Sequence, residues 1–235
     1  MKVYKFLAPA ALLAIVLMAL PVSAESEFLF NGYSVYTPSV DNVGSVREVF
    51  GILGTVGGIP TPILLDPVNY EYTIYINGQT VNSRTDLPPP PFARRIVGFE
   101  GGGLFIYADP IVGGTAADYD NPATFVDGEL ILEGVVDDGW TMMLMDSSVT
   151  PPGTYTGSGS GTFDFIGGTQ YDALITAEYL LTDWYLHGLD LSDDNPPATP
   201  VHPGYDRNFK AKLTPPNDPT DTVDSTWGQV KTLYR

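Results

Sequence analysis

The sequence predicts an all-β fold, an antiparallel sandwich or barrel-like domain with at most one or two short helices. Three observations carry this expectation. Runs of β-branched and aromatic residues recur along the chain, several alternating with polar residues at period two. Turn pairs such as Asn77-Gly78 and Asp127-Gly128 punctuate them, and 25 Gly and 21 Pro supply further breaks. Sustained helical periodicity is scarce, as expected where strands rather than helices bury the core.

The elements follow in order. Segments 28–36 and 47–56 read as the first strands. The clearest strand is 70–76, where Tyr70, Tyr72, Ile74 and Ile76 share one face. Asn77-Gly78 suits the positive φ angles of a type I′ turn, so 70–76 and 79–81 read as a hairpin. Pro88 to Pro91 form a four-proline run, which a central strand does not accept, and read as a polyproline II connector between the two halves. Strands are expected at 95–100 and 104–107. A second hairpin joins 123–126 to 129–136 through Asp127-Gly128, and Asp137-Asp138-Gly139 turns the chain into 140–145, which makes a meander. Segments 153–166 and 208–213 are the last strands. Glycines at 157, 159 and 161 mark bulges or close backbone approach. Over 171–186, Leu174, Ala177, Leu181 and Trp184 fit a helical stripe, with strand as the alternative.

Residues 1–24 have the pattern of a cleavable signal peptide. Lys2 and Lys5 form a positive start, 6–20 is nearly all apolar, and Val22-Ser23-Ala24 is a small-residue cleavage site. A membrane-spanning helix needs about 20 apolar residues, more than this run supplies. The expected organisation is a signal peptide over 1–24, one β-rich domain over 25–213, a Pro/Asp linker over 214–225 and a short amphipathic tail over 226–235. Export to the periplasm, cell surface or exterior follows from this pattern, with no stable membrane anchor.

Removal of Lys2 and Lys5 leaves nine of the 11 basic residues against all 28 acids, a net charge of −19. Such a chain repels nucleic acid, whose binding rewards clustered Lys and Arg. The absence of cysteine excludes a lipid-modified N-terminal Cys, thiol catalysis and Cys-zinc sites. A domain of this length buries a sufficient core without disulfides.

No catalytic motif emerges. His187 and His202 are the two histidines, and neither sits in an H-E-x-x-H pattern. The glycine-serine run at 157–161 is out of register for G-x-S-x-G. Glu129 and Glu133 have even spacing on one strand and so are expected on one face, but two acids on one strand do not flank a substrate from opposite sides. Calcium takes six to eight oxygens, often from Asp and Asn on loops. The stretch holding Asp190, Asp193, Asp194 and Asn195 is the candidate set, and Asp118-Tyr119-Asp120-Asn121 is a thinner one; neither has EF-hand spacing. Exposed Tyr and Trp side chains stack on sugars or anchor protein interfaces.

The tail carries Trp227, Val230, Leu233 and Tyr234 on one helical face, with Lys231 and Arg235 toward its C-terminal end. A helix this short is unstable alone, so it is expected to dock on its own domain or on a partner.

Residues 123–132 and 159–169, together with Trp184-Tyr185-Leu186-His187-Gly188, Pro203-Gly204-Tyr205-Asp206 and Lys212, resemble segments of uncharacterised exported bacterial proteins, some bearing C-terminal sorting tags. The tail is similar to short C-terminal tails of other exported bacterial proteins. The resemblance implies a secreted or surface protein and brings no activity with it. The leading expectation is a non-enzymatic surface, matrix or binding module with a glycan or protein partner. The alternatives are a secreted glycan hydrolase with paired carboxylates and a calcium-stabilised binding domain.

Overall fold

The computed structural model describes residues 27–57, 63, 65–87, 92–137, 141–147, 156–176, 184–191 and 201–214. These form ten strands: β1 (Glu27–Thr37), β2 (Val46–Gly57), β3 (Tyr70–Leu87), β4 (Phe92–Glu100), β5 (Gly103–Pro110), β6 (Glu129–Val136), β7 (Thr141–Ser147), β8 (Thr156–Gly167), β9 (Trp184–Leu191) and β10 (Arg207–Thr214). A 3-10 turn covers Pro122–Phe125, and a single helix, α1, covers Tyr171–Thr176.

The sheet closes on itself. Strands β1, β2, β3, β5, β6, β8, β9 and β10 pair in an antiparallel ring, and β10 returns to β1 through pairs such as Phe30↔Ala211. The predicted choice of sandwich or barrel therefore resolves to a barrel. Strands β4 and β7 continue the wall between β3 and β8. Closure leaves the ring without free edges, and about eight strands make a lumen that side chains can fill.

Alternation decides which side chains fill it. Phe28 and Phe30 of β1, Ile74 and Ile76 of β3, Leu104 and Ile106 of β5, Phe163 and Phe165 of β8, Trp184 and Leu186 of β9, and Phe209 and Leu213 of β10 are all buried. Trp184 centres one end, with Phe165 edge-on at 5.0 Å and Phe28 at 6.5 Å. On β8, Gly157 and Gly159 face the lumen, and Gly159 pairs with Gly188, which pairs with Ala211. These positions form a wall almost without side chains, offsetting the bulk sent inward elsewhere. That stretch of the β8–β9 ladder keeps its register, so of the two expectations for these glycines, bulge or close backbone approach, the bulge is absent there.

The opposite end of the lumen is charged. Arg47 is fully buried, its guanidinium 5.4 Å from the ring centres of both Phe99 and Phe209. Its Nη1 donates to Gln79 Oε1 at 3.1 Å. The loop between β1 and β2 folds back over this end, and its Asp41, at φ 56°, accepts from Arg207 Nη2 and from Arg95 Nη1. Arg207 also lies 5.3 Å from the ring centre of Tyr36.

Three local expectations are corrected. Asn77-Gly78 does not make a hairpin: β3 runs straight through, with Gly78 at φ 68° where its partner changes from β5 to β4. A positive φ is as compatible with a kink inside a strand as with a turn, and the partner strands decide between them. Residues 122–125 are a 3-10 turn, because Pro122 starts it and Thr124 bonds back to Asn121 O. Of the helix predicted over 171–186, Tyr171–Thr176 is helical and 177–183 lie outside the described residues, while Trp184 to Leu186 lie in β9, where pairing on both sides outweighs a weak helical stripe. Pro88 to Pro91 and Asp138-Gly139 lie outside the described residues. The proline run links the antiparallel neighbours β3 and β4.

Candidate functional site

The outer surface of the barrel carries an aromatic line. Alternation that sends Ser34, Val49, Ile74 and Leu104 inward turns Tyr33, Phe50, Tyr75 and Phe105 outward. Register then aligns these four directly across neighbouring strands: Tyr33↔Phe50, Phe50↔Tyr75 and Tyr75↔Phe105. Phe50 and Tyr75 stack at 4.9 Å, and Tyr75 and Phe105 meet at 6.2 Å. Cross-strand aromatic pairs of this kind contribute about 0.2–1 kcal/mol each.

Two loops build outward from the line. The segment between β5 and β6 lays Tyr119 edge-on to Tyr33 at 4.6 Å and Phe125 against Phe50 at 5.6 Å. The segment before β10 adds Tyr205 and His202, each within 6 Å of Tyr33. Polar bonds clamp both loops. Thr73 Oγ1 donates to Phe125 O at 2.8 Å, Ala117 N donates to Glu71 Oε2 at 2.6 Å, and Tyr119 Oη donates to Asn31 O at 3.2 Å. Tyr205 Oη donates to Tyr119 O at 3.1 Å, tying the two loops together.

Phe50 and Phe125 are buried beneath this layer, whereas Tyr33, Tyr75, Phe105, Tyr107, Tyr119, His202 and Tyr205 remain partly exposed. Carboxylates stand at the margins. Tyr75 Oη donates to Glu48 Oε1, and Glu133 is the cross-strand neighbour of Phe105. Asp120 lies 3.7 Å from His202 Nε2.

Four of the phenols hold their protons more tightly than usual. Burial, then the bond to Glu48, pushes the Tyr75 hydroxyl up to about 12. Burial, then Tyr33 and Tyr205, raises Tyr119; burial, then Asp118 and Asp120, raises Tyr205; burial, then Glu133, raises Tyr107. At neutral pH the layer therefore presents O–H groups, carboxylate acceptors and half-exposed ring faces, which together suit a polyhydroxylated ligand.

The residues singled out from sequence fall elsewhere or serve other ends. Asp190 sits on β9 with its backbone between Phe209 and Gly157, and Asp193, Asp194 and Asn195 lie outside the described residues. In the second acidic stretch, Asp118 Oδ1 accepts from Asp120 N at 2.9 Å and Asp118 N donates to Thr124 Oγ1 at 2.8 Å, so its side chain shapes the loop. No group of three or more His, Asp or Glu side chains gathers among the described residues. Glu129 and Glu133 do not share a face: a register shift at Ile131 sets Glu129 opposite inward Ala108 and Glu133 opposite outward Phe105. His187 is exposed on β9, stacked with Tyr185 at 6.3 Å.

The aromatic line itself was missed. Its one sequence signal is an aromatic on the face of each strand opposite the apolar stripe, as Tyr75 stands opposite Ile74 and Ile76. Alignment across strands exists only once register is known. No protein-family model, no curated protein and no solved structure matches this chain.

Proposed function

We propose that this is an exported, non-enzymatic binding module whose outer aromatic layer takes a neutral glycan. The observation that carries the reading is the alignment of Tyr33, Phe50, Tyr75 and Phe105 across four neighbouring strands on the solvent side of a closed barrel. A barrel exterior ordinarily carries polar side chains, and large apolar side chains gathered there mark interaction surfaces. Sugars present apolar C–H faces ringed by hydroxyls, which matches ring faces bordered by Glu48, Glu133 and protonated phenols. The net charge of −17 favours neutral over anionic polysaccharide.

The test is retention on insoluble neutral polysaccharides, followed by calorimetric titration with their soluble oligomers. The wild-type mature chain is expected to bind, and no reducing ends are expected to form. Phe105→Ala and Tyr107→Ala remove half-exposed rings without opening the lumen, and are expected to abolish binding while preserving the melting temperature to within a few degrees. Failure of the parent to retain any neutral glycan, or binding by both variants undiminished from the parent, refutes the reading. Release of reducing ends that is lost on Glu48→Gln or Glu133→Gln moves the protein to the hydrolase class.

A further inference from the structure

A groove of about 610 Å³ opens at the rim of the barrel, lined by Ile52, Leu53, Gly54, Pro67, Tyr70, Glu71, Tyr72 and Ile111. It borders the aromatic layer, whose loop is clamped by the groove residue Glu71, and carries exposed apolar surface: Tyr70 is 37% exposed and Ile111 55%, with Val68 at 80% and Val112 at 91% close by. Asn69 and Ile111 are joined by a backbone hydrogen bond of 2.9 Å, so the two exposed loops form one surface. Acids border it. Glu71 pairs across the strands with Asp109, and Asp66 precedes Pro67.

We propose that the C-terminal segment 226–235 of the same chain docks in this groove. The path of the chain supports it. Strand β10 ends at Thr214 at the same rim, since Leu213 pairs with Phe28 and Phe28 with Val56, beyond the groove residues Leu53 and Gly54. Groove and chain end are separated by β1 and β2, about 10–15 Å at the spacing of neighbouring strands. The 11 residues 215–225 reach up to about 36 Å when extended. Length therefore permits the contact with slack for three prolines.

Chemistry matches in two respects. The spacing of Trp227, Val230, Leu233 and Tyr234 puts four apolar residues on one side of a helix, and a ten-residue helix is about 15 Å long. Lys231 and Arg235 are two of only nine cations outside the first 24 residues, and they would meet Asp66, Glu71 and Asp109. The tether raises the effective concentration of the segment, so a modest intrinsic affinity suffices. The inference is independent of the glycan reading.

The test uses the whole mature chain and reads Trp227 fluorescence as the difference from a Trp227→Phe variant. Docking predicts a blue-shifted Trp227 emission shielded from acrylamide, unchanged on dilution. Ile111→Lys, on an exposed loop, is expected to return that emission to the water-exposed value and to raise quenching several-fold. Ile175→Lys, another exposed isoleucine on α1, is expected to leave both unchanged. A water-exposed Trp227 in the unmodified chain overturns the proposal, as does shielding that Ile111→Lys does not touch. Shielding that disappears on dilution overturns it in favour of a second copy as the occupant.

Discussion

Replacing Asp41 with Asn removes one charge from the closed end of the barrel and changes little else. Asp41 is fully buried, Arg207 is 3% exposed and Arg95 14% exposed. Asn has nearly the same shape and is among the residues that tolerate the positive φ of 56° at this position. The perturbation therefore isolates the electrostatic term. With the carboxylate gone, the guanidinium groups of Arg95 and Arg207 lose their shared acceptor charge. Breaking a buried pair by removing one partner costs about 3–5 kcal/mol. The lower part of that range applies, because Arg95 retains Asp86 at 2.7 Å and Arg207 retains the Tyr36 ring and hydroxyl. For a chain of this size, about 3 kcal/mol lowers the melting temperature by roughly 6–12 °C. Urea unfolding at neutral pH, followed by circular dichroism, measures it directly. Asp86→Asn is the control: it touches Arg95 from an exposed position and is expected to cost less than about 1 kcal/mol. An Asp41→Asn protein within 1 kcal/mol of the parent, or indistinguishable from Asp86→Asn, refutes the account of this end as an ion-paired plug.

Other outcomes are equally concrete. Gly168→Ala should destabilise the protein by more than the ordinary Gly-to-Ala difference, since Gly168 has φ 104° and an added Cβ would fall 2.3 Å from Ile131 O; an unchanged urea midpoint contradicts it. The phenol of Tyr75 is expected to titrate near 12, read as the difference in tyrosinate absorbance between the parent and Tyr75→Phe, and Glu48→Gln should lower it. Because the folded state holds that proton more tightly than the unfolded chain, its contribution is present below the ordinary value of 10 and fades as pH rises toward 12. Asp86 shows the opposite sign: bonds from Arg95 and then Arg84 hold its carboxyl below the usual range, so its contribution exists above the unfolded value and is lost as pH falls through the folded one. Asp86→Asn should therefore flatten the acid limb of the stability profile, and an unaltered limb counts against the pairing.

The all-β class was legible in the sequence because period-two alternation is a local property. Segment 70–76 carries its own record of which face is apolar, whereas the bulge at Ile131 breaks that record in 129–136; nine of the ten strands lie near the places the sequence predicts. The exception, β9, was masked by a helical stripe that depends on Trp184, whose burial against Phe28 and Phe165 is set by strands distant in sequence. Closure into a barrel was not legible: it requires β10 to find β1, a pairing between residues about 180 positions apart that no local pattern encodes. The same holds for both chemical features of the molecule. Asp41 meets Arg207 across 166 residues, and the outward line of Tyr33, Phe50, Tyr75 and Phe105 exists because three separate registers coincide. A one-residue slip in any strand would turn its aromatic inward and break the line. Composition and alternation alone thus settle that the chain makes sheet and which side chains each strand can bury. Which side chains become neighbours, and hence where a ligand finds rings beside carboxylates, is decided by register and closure.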